Sequence, residues 1–117
     1  MKDVALLHQE EIAMPNPELD AALGDLESIL QVLTTAPNND RVLQSALEQF
    51  EAIKPRMRPS GPGDIAGTIV ASGVGAMEEL ERLVRMQLDD KDKKYDAIIR
   101  KMCRALQDGM SAWRKLL

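Results

Sequence analysis

Tyr95, Ile99, Met102, Leu106, Met110, Trp113 and Leu117 recur at alternating steps of four and three, a spacing that puts all seven on one stripe of an α-helix. So long a stripe has to be covered, by other helices of the same chain or by a second chain. The opposite face is cationic, with Lys94, Lys101, Arg104 and Lys115. The seven stripe residues together with Lys94, Lys101 and Arg104 form the candidate partner-binding set, suited to an apolar groove beside an acidic surface.

The rest of the chain is organised to meet such a helix. Asn16-Pro17-Glu18 is a helix start, with a capping side chain, a proline at the first turn and an acid at the positive end of the dipole. Leu19, Leu23, Leu26, Leu30 and Leu33 follow in steps of four and three, with Ile29 widening the face. Asp20, Asp25 and Glu27 flank it, opposite in charge to the C-terminal segment. Gly24 inside this helix costs about 1 kcal/mol relative to Ala and suits close packing. Ala36-Pro37-Asn38-Asn39-Asp40 interrupts the pattern and offers new caps, and Leu43, Ala46, Leu47, Phe50 and Ile53 then form the face of a second helix, which Pro55 ends.

Residues 55–64 read as a Pro/Gly crossover loop on which Arg56 and Arg58 sit, most simply solvated. Ile65 to Ala76 is rich in Ala and Gly, and Gly73-Val74-Gly75 predicts a bend between two helical segments. From Met77 onward Leu80, Leu83, Val84 and Leu88 make an apolar face, with Glu78–Arg82 and Glu81–Arg85 as pairs one turn apart. The charged run Asp89 to Lys94 has two readings. A turn there makes a second hairpin; an uninterrupted helix leaves the long stripe uncovered and favours an intermolecular coiled coil.

The fold class that follows is all-α: two helical hairpins, residues 16–54 and 65–117, forming a four-helix bundle-like domain that oligomerisation could complete. Residues 1–15 form an arm or short helix ahead of it. The chain's 117 residues suffice for one core. Aromatics are 3% of it and there are seven Met, so that core is built from Leu, Ile, Val, Ala and Met, as helices prefer.

A net charge of -4 gives no general attraction to nucleic acid. Its distribution is uneven: residues 1–58 carry five Lys/Arg against ten Asp/Glu, residues 93–117 seven against two. The single cysteine, Cys103, excludes an intramolecular disulfide and fits a reducing compartment. With no apolar span and no secretory signal pattern, the expected location is cytoplasmic.

Chemistry-bearing motifs are sparse. His8 is the only histidine and no ligand spacing accompanies it. Cys103 lies beside the stripe between Lys101 and Arg104 without a histidine, and reads as a core thiol. Neither Ser60-Gly61-Pro62-Gly63-Asp64 nor Gly73-Val74-Gly75 continues into a phosphate loop or dinucleotide fingerprint. Ala71 to Gly75 resembles a helix-turn-helix turn, but Glu78 and Glu79 on the following helix would repel phosphates. Asp89, Asp90, Asp92 and Asp96 lack the order of a calcium loop. No catalytic residue, metal ligand or cofactor is assigned.

Two short pieces resemble the subunits that polymerise into type III secretion needles. Ala36-Pro37-Asn38-Asn39-Asp40-Arg41-Val42-Leu43, leading to Ala46-Leu47-Glu48-Gln49-Phe50, is similar to that family's hairpin turn and second helix. Ile98-Ile99-Arg100-Lys101-Met102 is similar to its C-terminal helix. The segment Pro55 to Leu88 departs from the family. The resemblance implies a secretion-apparatus-associated subunit as one alternative.

The reading as a whole is a small non-enzymatic protein-interaction module, an adaptor, regulator, chaperone or assembly subunit, with self-association expected and neither nucleic acid nor an integral membrane span. Its alternatives are a helical-bundle enzyme, which needs a polar residue inside the apolar stripes where none interrupts them cleanly, and an anionic-surface binder using residues 93–117.

Overall fold

In the computed structural model the described residues are 17–58 and 64–116; residues 1–16, with His8, Asn16 and the expected arm or short helix, and residues 59–63 of the crossover loop lie outside them. Four helices follow one another: α1 (Pro17–Thr35), α2 (Asp40–Ile53), α3 (Asp64–Asp89) and α4 (Asp96–Leu116). No strand occurs among the described residues. Each helix packs on the one before it in the chain across α1–α2, α2–α3 and α3–α4, and α4 closes on α1. This is an all-α four-helix bundle.

Local sequence sets each boundary. α2 starts where Asn39, in extended conformation, accepts a hydrogen bond from the Val42 amide at 3.1 Å, a side-chain cap for an otherwise unpaired donor. Its end is less abrupt than the proline predicts. Lys54 keeps helical angles, and the chain tightens into one 3₁₀ turn, Lys54–Arg56, before leaving. A proline in the first turn of a new helical segment lacks only an amide that would have been orphaned there.

The run Asp89 to Lys94 is a turn. Asp90 accepts from the amides of Asp92 at 3.2 Å and Lys94 at 3.1 Å, and these bonds hold its carboxyl below the usual range. Lys93 takes the left-handed conformation at φ 50°. Its ammonium donates to the carbonyls of Asp90 at 3.0 Å and Leu88 at 3.4 Å and pairs with Asp40 at 3.2 Å. The second hairpin therefore forms, and its turn is fastened to the start of α2.

The bend anticipated at Gly73 to Gly75 is absent: α3 runs unbroken for 26 residues. Gly73 is buried, and a Cβ there would sit 2.6 Å from the Met57 methyl. Its small size admits Met57, a buried side chain from the segment after α2, and tertiary packing outweighs the glycine's weak helix propensity.

The core is the Leu face of α1 (Leu19, Leu23, Leu26, Leu30, Leu33), Leu43, Ala46, Phe50 and Ile53 of α2, Met77, Leu80 and Val84 of α3, and Ile99, Cys103, Leu106 and Met110 of α4. Phe50 is its largest fully buried side chain. Arg82 pairs with Glu79 rather than Glu78, and Glu81 lies 3.9 Å from Arg85.

Candidate interaction surface

The final helix has an inner and an outer face. Inward, Ile99, Leu106 and Met110 are buried, and Tyr95, Met102 and Trp113 are partly buried against the same core. The seam is turned relative to the sequence stripe: Cys103, not Met102, lies at its centre and is fully buried. Burial pushes the Cys103 thiol up to about 11, the behaviour of a core thiol and not of a nucleophile. One chain thus covers its own stripe, and the second chain demanded by an uninterrupted helix is not needed. Leu117 lies outside the described residues.

Charge locks this arrangement. Arg114 donates to Asp20 at 3.0 Å and approaches Glu27 at 3.4 Å. Gly24 leaves room for it, 3.8 Å from where a Cβ would stand. At the other end of the same contact Arg100 donates to the Thr34 carbonyl at 3.2 Å. The acidic front and basic tail meet within one molecule, although Asp25 turns away to Arg56 at 2.6 Å. Neither Arg100 nor Arg114 belongs to the candidate set from the sequence; their signal was a position flanking the stripe.

Outward, Lys101, Arg104 and Lys115 are exposed, and no ion pair is found for them among the described residues. Lys94 stands over the Tyr95 ring, 5.7 Å from its centroid. Between and beside the cations the exposed positions are Ile98, Ala105, Ala112 and Leu116, together with the hydroxyl of Ser111 and the carboxylate of Asp108. Ile98, Ala105 and Ala112 are spaced seven apart, so a second helix could approach along them as in a coiled coil. At the end of α4, Trp113 and Leu116 join Ile65, Thr68 and Ile69 of α3 around an open groove of about 270 Å³.

Two polar side chains lie inside the bundle at core-facing positions of α3. Glu81 accepts from the Lys54 ammonium at 2.8 Å, while its other oxygen has no hydrogen-bond donor. Gln87 donates to the Pro37 carbonyl at 3.0 Å and to Asp96, and accepts from the Tyr95 amide at 2.9 Å. The sequence shows both at steps that continue Met77, Leu80 and Val84, which corrects the expectation that nothing polar interrupts the stripes. Glu81 neighbours Lys54 and Arg85, and none of these lines the groove. Among the described residues no three of His, Cys, Asp or Glu converge as metal ligands, and no helix is long and apolar enough to cross a membrane.

No protein-family model, no curated protein and no solved structure matches this chain.

Proposed function

We propose that this protein is a non-enzymatic interaction module that binds an acidic amphipathic helix of another protein along the outer face of α4. The observation that carries the reading is the fate of the cations. Arg114 and Arg100 are used inside the bundle, while Lys101, Arg104 and Lys115 remain exposed on one face, where they outnumber its exposed carboxylate, Asp108. Ile98 and Leu116, at 46% and 61% exposure, give that face an apolar anchor at each end. Apolar anchors supply affinity, and flanking unpaired cations select partners of opposite charge and speed the encounter. The inner stripe residues of the candidate set serve indirectly by holding α4 in place. The single thiol suits a reducing setting such as the cytoplasm.

The test is a titration of labelled amphipathic helical peptides, acidic and basic, followed by anisotropy. The acidic peptide binds, binding weakens as salt rises, and Lys101→Glu with Arg104→Glu abolishes it. Equal affinity of the wild type and this double variant for the acidic peptide would sink the reading.

A further inference from the structure

Beside its cations α4 carries a second stripe. Ile98, Met102, Ala105, Gly109, Ala112 and Leu116 follow in steps of four and three; none is charged and none is buried. The middle of this stripe is small and its ends are large. Lys101, Arg104 and Lys115 each precede a stripe residue and so line one edge, where the one exposed carboxylate is Asp108. Trp113 follows Ala112 and lies on the other edge, towards α3. On α3, Ile65, Thr68, Ser72 and Gly75 share an exposed, uncharged stripe in steps of three and four. The two stripes meet at the open groove of about 270 Å³ between Ile65, Thr68, Ile69, Trp113 and Leu116. There Ile65 and Leu116 are 54% and 61% exposed.

We propose that the acidic helix bound along α4 anchors itself in this groove, inserting one large apolar side chain from an end of its own apolar stripe between Ile65, Trp113 and Leu116. The proposal rests on the outer-face reading and extends that interface to α3. Shape supports it first. A helix lying along Ala105, Gly109 and Ala112 meets no bulky side chain and approaches closely, since the spacing of helix axes follows the side chains at the contact. At Leu116 the groove opens, and a short side chain there leaves it unfilled. Unfilled apolar space forfeits the contacts of its lining, whereas a large side chain exchanges water for Ile65, Ile69, Trp113 and Leu116. The wall is formed in advance: the indole of Trp113 lies 3.6 Å from where a Cβ on Gly109 would stand and 3.9 Å from one on Gly73. An anchor entering a prepared pocket pays little for ordering it.

Charge then selects the occupant. The α4 edge of the stripe bears three exposed cations against one carboxylate, while Thr68, Ser72 and Gly75 on the α3 side bear no charge. The fitting partner is therefore a helix with acids along one side of its apolar stripe, none required along the other, and a bulky apolar residue at the end of the stripe.

Trp113 is the only tryptophan in the chain, so its fluorescence reports the groove. The probes are two synthetic acidic amphipathic peptides without tryptophan, one with Phe at both ends of its apolar stripe and one with Ala at both. The Phe peptide shifts Trp113 emission to shorter wavelength and shields it from acrylamide. The Ala peptide binds about tenfold more weakly and leaves Trp113 unchanged. Ile65→Ser, a neutral change at an exposed position of α3, lowers the affinity for the Phe peptide towards that for the Ala peptide and hardly alters the latter. Equal affinity of the two peptides for the wild type, with Trp113 unchanged, would overturn the anchor; if Lys101→Glu with Arg104→Glu still abolishes binding, the outer-face reading survives it. Binding of neither peptide would overturn both. A Trp113 spectrum that shifts on dilution of the protein alone would assign the groove to a second copy and overturn the proposal.

Discussion

Gln87 of α3 reaches across the bundle end to the carbonyl of Pro37, 3.0 Å away and fifty residues earlier in the chain. The same side chain accepts from the Tyr95 amide at 2.9 Å and donates to Asp96. One buried amide thus satisfies backbone groups of both hairpin turns, and register between the hairpins depends on it. Gln87→Leu leaves those groups buried without partners, a loss of about 1–3 kcal/mol. Urea unfolding should show a lower midpoint with an unchanged slope; a neutral substitution would mean that water replaces the amide.

Lys54 and Glu81 hold α2 to α3 at 2.8 Å, with Glu51 at 3.3 Å on the exposed side. Glu81 is buried, so removing its partner is expected to cost more than removing the pair. Lys54→Met destabilises by about 3 kcal/mol, whereas Lys54→Met with Glu81→Leu recovers most of that loss. The double-mutant cycle reads this directly. The hydrogen bond to Glu81 raises the Lys54 ammonium above its ordinary 10.5, so its contribution is complete below that value and disappears as pH rises through the higher folded one.

Glycines of α3 separate packing from propensity. Beyond the neighbouring turns of its own helix, a side chain at Gly75 would meet open space within 4 Å, while a Cβ at Gly73 would meet the Met57 methyl at 2.6 Å. Gly75→Ala is expected to stabilise by about 1 kcal/mol. Gly73→Leu is expected to expel Met57 and destabilise by about 1–3 kcal/mol. Thermal melts of the two variants should move in opposite directions, and parallel shifts would show that Gly73 is not a packing site.

Cys103 supplies an alkaline signature. Its thiol titrates near 9.0 when unfolded and about 11 in the bundle, so the folded state holds the proton more tightly across that interval. Stability is complete below pH 9 and falls by about 2–3 kcal/mol as the pH rises to 11. Cys103→Val removes this slope and leaves the later one from Lys54. Native protein at pH 7 should also resist thiol reagents until denaturant is added.

What was legible in the residues was whatever repeats locally. The Leu19 to Leu33 ladder, the Asn39 cap and the apolar stripe of the last helix each follow from steps of three and four or from one capping side chain. The error at Gly73 has the opposite origin: its propensity is local, but Met57, which fills the space it leaves, comes from another part of the chain. Asp89 to Lys94 stayed open because charged residues suit both turn and helix; Asp90, Lys93 and Gln87 decide it through contacts with backbone and with Asp40. For the candidate surface, spacing found the helix but not which side faces out. That side was fixed by Arg114 and Arg100, whose partners on α1 lie far away in sequence.

The account rests on one chain closing its own core and leaving the outer face of α4 free. Solution mass by light scattering at two widely separated concentrations tests this most directly. A single species at 13.0 kDa at both is the predicted result. A mass that climbs toward the dimer with concentration would contradict it.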